Sequence, residues 1–131
     1  MSKFFIVENE GVGELSFNYD RSKIRKLGGN FTEFKKSKFS NNTSDDFGNF
    51  HAFYDIDNKL EAVECFPEME LYLNQKKLFD MNYDELKKYL NDSNIEEDDS
   101  GCIFYTRGIS VYAPNKKDIE SILVFRSGYY D

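Results

Sequence analysis

Apolar and polar positions alternate most cleanly over residues 50–54, where Phe50, Ala52 and Tyr54 fall on one side and His51 and Phe53 on the other. That period of two marks a half-buried strand. Residues 60–66 read as an apolar-rich second strand, with Asp55-Ile56-Asp57-Asn58 as the intervening turn and Asn58 suited to left-handed backbone. Residues 103–105 and 109–112 flank Arg107-Gly108 as another hairpin, and Pro114-Asn115-Lys116-Lys117 turns into a strand over 119–125. Residues 31–36 and 70–73 complete the strand candidates. Helical spacing occurs twice, over 20–27, stopped by Gly28-Gly29, and over 83–90. Asn82 caps the second helix, with Glu85 three residues on as the returning carboxylate of a capping box.

The two hairpins align. At a constant offset of 59, Phe50 falls on Ile109, Ala52 on Val111, Phe53 on Tyr112, Leu60 on Ile119, Val63 on Ile122 and Phe66 on Phe125. The helices align at 62, which sets Ile24 on Leu86 and keeps the apolar face, whereas the tripeptide shared by 18–20 and 82–84 would set Ile24 on Lys88. A repeat of this size predicts one domain built of two units, about 1–66 and 67–131. The expected fold is α+β: two tandem helix-plus-antiparallel-strand units forming one sheet, with both helices packed on one face.

Composition adds an unusual core. The 131 residues hold 13 Phe and 9 Tyr but no Trp. Large rings suit pleated surfaces and the gap between sheet and helix. The net charge of -7 argues against nucleic acid, whose binding depends on cations. That charge is uneven: residues 21–38 carry seven basic residues and one acid, whereas residues 39–131 carry nine basic and 19 acidic. Such asymmetry steers a charged partner, although solvated helix faces also produce it. No apolar run suits a signal peptide or a membrane span, and Cys65 and Cys102 lack metal-ligand spacing. A cytoplasmic protein with reduced thiols is expected, without cofactor or metal.

Catalytic motifs are missing. The single histidine, His51, lies mid-strand without a partner in sequence, and no GxSxG, P-loop, HExxH or GxGxxG occurs. The run Glu96-Glu97-Asp98-Asp99 lacks the spacing of a calcium loop and reads as an acidic loop. Aromatic residues on an open sheet face are the stronger lead, because Tyr is enriched at recognition surfaces. Phe53, Tyr72 and Tyr112, with Glu96, Glu97, Asp98 and Asp99, are the candidate protein-binding residues.

Phe17-Asn18-Tyr19-Asp20-Arg21-Ser22-Lys23-Ile24-Arg25-Lys26-Leu27-Gly28 resembles the F-G-M-x-x-x-x-V-x-x-L-G entry helix of proteins similar to β-lactamase inhibitor protein. Phe79-Asp80-Met81 with Leu86 and Leu90 offers a second, partial copy. Asn18 and Tyr19 depart from the glycine and methionine of that pattern. Residues 34–48 and the ending Ser127-Gly128-Tyr129-Tyr130-Asp131 resemble immunity-type proteins of bacterial polymorphic toxin systems. The resemblance implies tandem helix-plus-sheet units that act by binding other proteins.

The leading expectation is therefore a non-enzymatic protein that binds a protein partner, such as an immunity protein neutralising a cationic toxin domain. An adaptor domain with another partner is the alternative. A third is a small-ligand binder or enzyme that uses His51 and neighbouring carboxylates in a cleft between the repeats.

Overall fold

The computed structural model describes residues 3–130. The chain runs β1 (Lys3–Val7), β2 (Gly11–Val12), β3 (Leu15–Ser16), α1 (Arg21–Gly28), β4 (Thr32–Phe34), β5 (Ser44–Asp46), β6 (Phe50–Tyr54) and β7 (Leu60–Cys65). It continues through β8 (Glu70–Leu73), β9 (Lys76–Lys77), a 3-10 turn (Leu78–Asp80), α2 (Tyr83–Leu90), β10 (Ile95–Asp98), β11 (Gly101–Phe104), β12 (Ile109–Tyr112) and β13 (Ser121–Phe125).

These strands form two sheets. The larger has the order β10-β11-β12-β13-β7-β6-β5-β4, and the smaller β3-β2-β1-β8-β9. The expectation of two tandem helix-strand units on one sheet is thereby overturned. The fold is mostly β, with two helices of eight residues each among the described residues. The reason lies in pairings that local pattern does not reveal. Segment 3–7 runs parallel to segment 70–73, with Lys3 opposite Glu70 and Phe5 opposite Tyr72, and so founds a second sheet. The polar segments Ser44–Asp46 and Ile95–Asp98 join the larger sheet as strands.

The hairpins at the centre of the larger sheet share one register. Phe50 pairs with Cys65 and Ala52 with Val63, while Ile109 pairs with Val124 and Val111 with Ile122. The two hairpins meet where β7 and β13 run antiparallel, with Val63 opposite Val124. Alternation then sorts the side chains onto two faces. Ala52, Val63, Ile122, Val124 and Phe104 enter a main core with Ile6, Val12, Leu71 and Leu73 of the smaller sheet. Ile24 of α1 and Leu86 and Leu90 of α2 join the same core. On the outer face, Phe53, Ala62 and Phe125 form a second, smaller cluster with Phe34, Ile103, Leu123 and Tyr129 packed around it.

The helices are held differently. In α2 the Glu85 amide donates to Asn82 Oδ1 at 2.9 Å and the Asn82 amide to Glu85 Oε1 at 3.0 Å, the reciprocal box the spacing predicts. Helix α1 has no side-chain cap, and Ile24 is its one buried apolar residue. Its anchor is ionic. Arg21 and Arg25, one turn apart, both reach Asp45 on β5.

Candidate functional site

The outer face of the larger sheet carries a trough of three adjoining hollows. The first, about 390 Å³, is lined by Asn42, Ser44, Tyr54, Ile56 and Glu61, among others, and the second, about 340 Å³, by Glu64, Tyr112, Ser121 and Tyr130. Lys36 and Phe53 line both. A third of about 140 Å³ is lined by Glu96, Asp98 and Ile103, and it shares Ser110 and Tyr112 with the second. Strand alternation builds this surface. Ser110 and Tyr112 alternate with buried Ile109 and Val111, and Leu123 alternates with Ile122 and Val124.

The aromatic end of the trough is ordered by ring packing. Tyr130 stands edge-on to Phe125 at 5.0 Å between centroids and to Tyr129 at 5.0 Å, while Tyr129 stacks on Phe125 at 5.8 Å. Burial pushes the Tyr129 hydroxyl up to about 12, and the charges of Glu61 and Glu64 act in the same direction. Lys36 Nζ lies 4.0 Å from the Phe53 ring centroid and donates to Tyr129 Oη at 2.8 Å. Phe53, expected on the open face, does belong to it but is only 5% exposed beneath this cover.

The other candidates divide. Tyr112 is 47% exposed and meets Glu96 and Asp98 in the third hollow. Glu97, between them on β10, takes hydrogen bonds from Tyr83 and from Lys87 Nζ, the latter at 2.7 Å. Those bonds hold its carboxyl down to about 2, with the Lys87 hydrogen bond as the largest cause. Glu97 thus ties the sheet edge to α2. Asp99 is exposed in the turn after β10. Tyr72 lies apart, on the smaller sheet, against Phe5 at 5.3 Å. The run 96–99 is not a loop as expected: Glu96, Glu97 and Asp98 pair with Ile103, Cys102 and Gly101.

That pairing depends on Gly101, where a Cβ would sit 1.8 Å from the Val111 carbonyl oxygen. Neither backbone can yield without opening β11 from β12. Gly101→Ala is expected to cost about 1–3 kcal/mol in denaturant unfolding and to weaken amide-exchange protection along β10. A melt unchanged from wild type would refute the close approach.

His51 sits on the same face. Its Nε2 lies 3.4 Å from Asp46 Oδ1 and its Nδ1 3.8 Å from Glu64 Oε1, with Phe34 and Phe66 rings 4.8 Å away. Among the described residues, no group of three or more His, Cys, Asp and Glu is placed to hold a metal ion, and no helix is long and apolar enough to cross a membrane.

The strongest polar cluster escaped the pattern along the chain. Asp45 is fully buried and receives Arg25 Nε at 2.8 Å, Arg25 Nη2 at 2.9 Å, Arg21 Nη2 at 2.9 Å and the Tyr54 hydroxyl at 2.9 Å. Its chemistry is structural: one carboxylate accepts hydrogen bonds from two guanidinium groups of the basic segment 21–38 and pins α1 to β5. Lys36, Ser110 and Ser121 were also missed as trough residues. The alternation of β12 and β13 carried the signal for both serines.

Comparison with known protein families, with curated proteins and with solved structures finds no match to this chain.

Proposed function

We propose that this chain is a non-enzymatic protein-binding protein, an immunity protein that neutralises a cationic toxin domain through the outer face of its larger sheet. The observation that carries the reading is the trough. It joins exposed Tyr112 and Tyr130 to four carboxylates, Glu61, Glu64, Glu96 and Asp98, and Lys36 is its only cationic lining residue among the described ones. Among the described residues, Glu96 and Asp98 have no cationic side-chain group within ion-pair distance of their carboxylates. Tyr rings supply large contact area at small entropic cost, and complementary charge accelerates encounter and masks a basic active site.

Co-expression with the product of a neighbouring toxin gene tests this. Growth rescue and a co-purifying complex are expected, with association slowed by salt. Tyr112→Ala, which alters an exposed ring, is expected to weaken the complex by about 2 kcal/mol, roughly thirtyfold. Absence of both rescue and complex would sink the toxin reading. A complex indifferent to Tyr112→Ala would move the interface off this face.

A further inference from the structure

Lys36 makes an unusual choice of partner. It is exposed, in the loop between β4 and β5, and Glu61 and Glu64 line the hollows that it borders. Yet its ammonium forms no ion pair with either among the described residues. It rests 4.0 Å from the Phe53 ring centroid and 5.5 Å from that of Tyr129, and it donates to the Tyr129 hydroxyl at 2.8 Å. Fixing a lysine this way costs up to about 2 kcal/mol of side-chain freedom, so the rings must hold the cation well. Glu64 lines the same hollow, with the Ser121 hydroxyl donating to its carboxylate at 3.0 Å. Aromatic faces beside carboxylates are the chemistry that recognises alkylammonium and guanidinium groups.

We propose that the Phe53–Tyr129 slot is a binding site for a lysine, arginine or other organic cation of a partner, and that Lys36 is an internal stand-in occupying it. Because Lys36 borders both large hollows, its withdrawal joins them and uncovers the Phe53 ring. A tethered side chain competes at an effective concentration in the millimolar range, so it masks the slot against weak free cations. A partner that engages the whole trough outcompetes it. The inference rests on the outer face being a docking surface, and it specifies what that surface reads.

Choline is the probe, with 3,3-dimethylbutanol as its uncharged counterpart, followed through the ring resonances of the full chain. Wild type is expected to show weak shifts, and Lys36→Ala saturable shifts at Phe53 and Tyr129 with affinity about tenfold higher. Lys36→Met removes the charge and the bond to Tyr129 but keeps an aliphatic stem, and it is expected to gain in the same direction by less than Lys36→Ala. Phe53→Leu in the Lys36→Ala background abolishes the gain. The proposal is overturned if Lys36→Ala gains nothing, if Lys36→Met stays at the wild-type affinity, or if the alcohol binds as well as choline. Thermal melts check folding. Should Lys36→Ala fail to fold, Tyr129→Phe removes the hydroxyl that anchors Lys36 and must raise choline affinity in the same direction, and no gain there overturns the proposal. Because choline needs no toxin, a variant that gains choline without rescuing growth retires the toxin reading and keeps the slot.

Discussion

Replacing Asp45 with alanine is expected to remove about 3–5 kcal/mol of folding stability, the cost of stranding buried charges without their partner. Arg21 is itself 9% exposed, and its guanidinium lies 4.4 Å from the Tyr54 ring centroid, so it cannot turn to solvent without dismantling the packing around it. Glu33, the remaining acid near these arginines, stands on exposed β4 and reaches Arg25 at 3.2 Å, too weakly to compensate. Urea unfolding measures the loss, and Asp45→Asn separates charge from shape. A loss under about 1 kcal/mol would mean that α1 is held by something other than this cluster.

The same carboxylate sets an acid limit. Burial pushes Asp45 up, but hydrogen bonds from Arg25, Arg21 and Tyr54 outweigh it and hold it from 3.8 down to about 2. A depressed folded value means that the stabilisation is complete above pH 3.8 and lost as pH falls through about 2. Nearly two pH units correspond to about 2 kcal/mol. Wild type is expected to lose that amount over the window, and Asp45→Asn to have a correspondingly flatter profile.

Phe104→Ala is the other large effect, at about 3–5 kcal/mol. The ring is 1% exposed and is the largest of the fully buried side chains. It projects from β11 beneath α2, where Asp84, Lys87 and Lys88 line the same hollow, and α2 has few other ways to close that space. Guanidinium unfolding with an unchanged slope would report a cavity, and Phe104→Leu should recover most of the loss. Equal losses for both would point to ring-specific packing.

What was legible in the chain was local. The capping box of α2 and the hairpins β6/β7 and β12/β13 follow from residues within about a dozen positions of each other, where alternation and turn chemistry suffice. Strand β5 was hidden because its central residue is an aspartate, which becomes a core residue only through arginines 20 and 24 positions away. Strand β10 was hidden by three consecutive acids, one of which finds its cations on α2 and at Lys116. The β1–β8 pair was hidden by distance, since parallel strands need no turn signal between them. For the site, the alternation of β12 placed Tyr112 on the outer face, whereas Glu96 and Asp98 meet it only through the hidden strand β10. Tyr72 departs because the second sheet was not legible, and Lys36, expected inside a strand over 31–36, lies in the loop after β4 ends at Phe34.

The parallel pairing of β1 with β8 and the antiparallel pairing of β7 with β13 share a consequence during synthesis. Each of these strands must wait about sixty residues for its neighbour, roughly 3–12 s at ordinary ribosomal speed. During that interval β7 presents an open, apolar edge, the surface most prone to pairing with another nascent chain. Slow translation of residues 66–120 would lengthen the exposure, so the yield of folded protein is coupled to the pace at which the second half of the chain emerges.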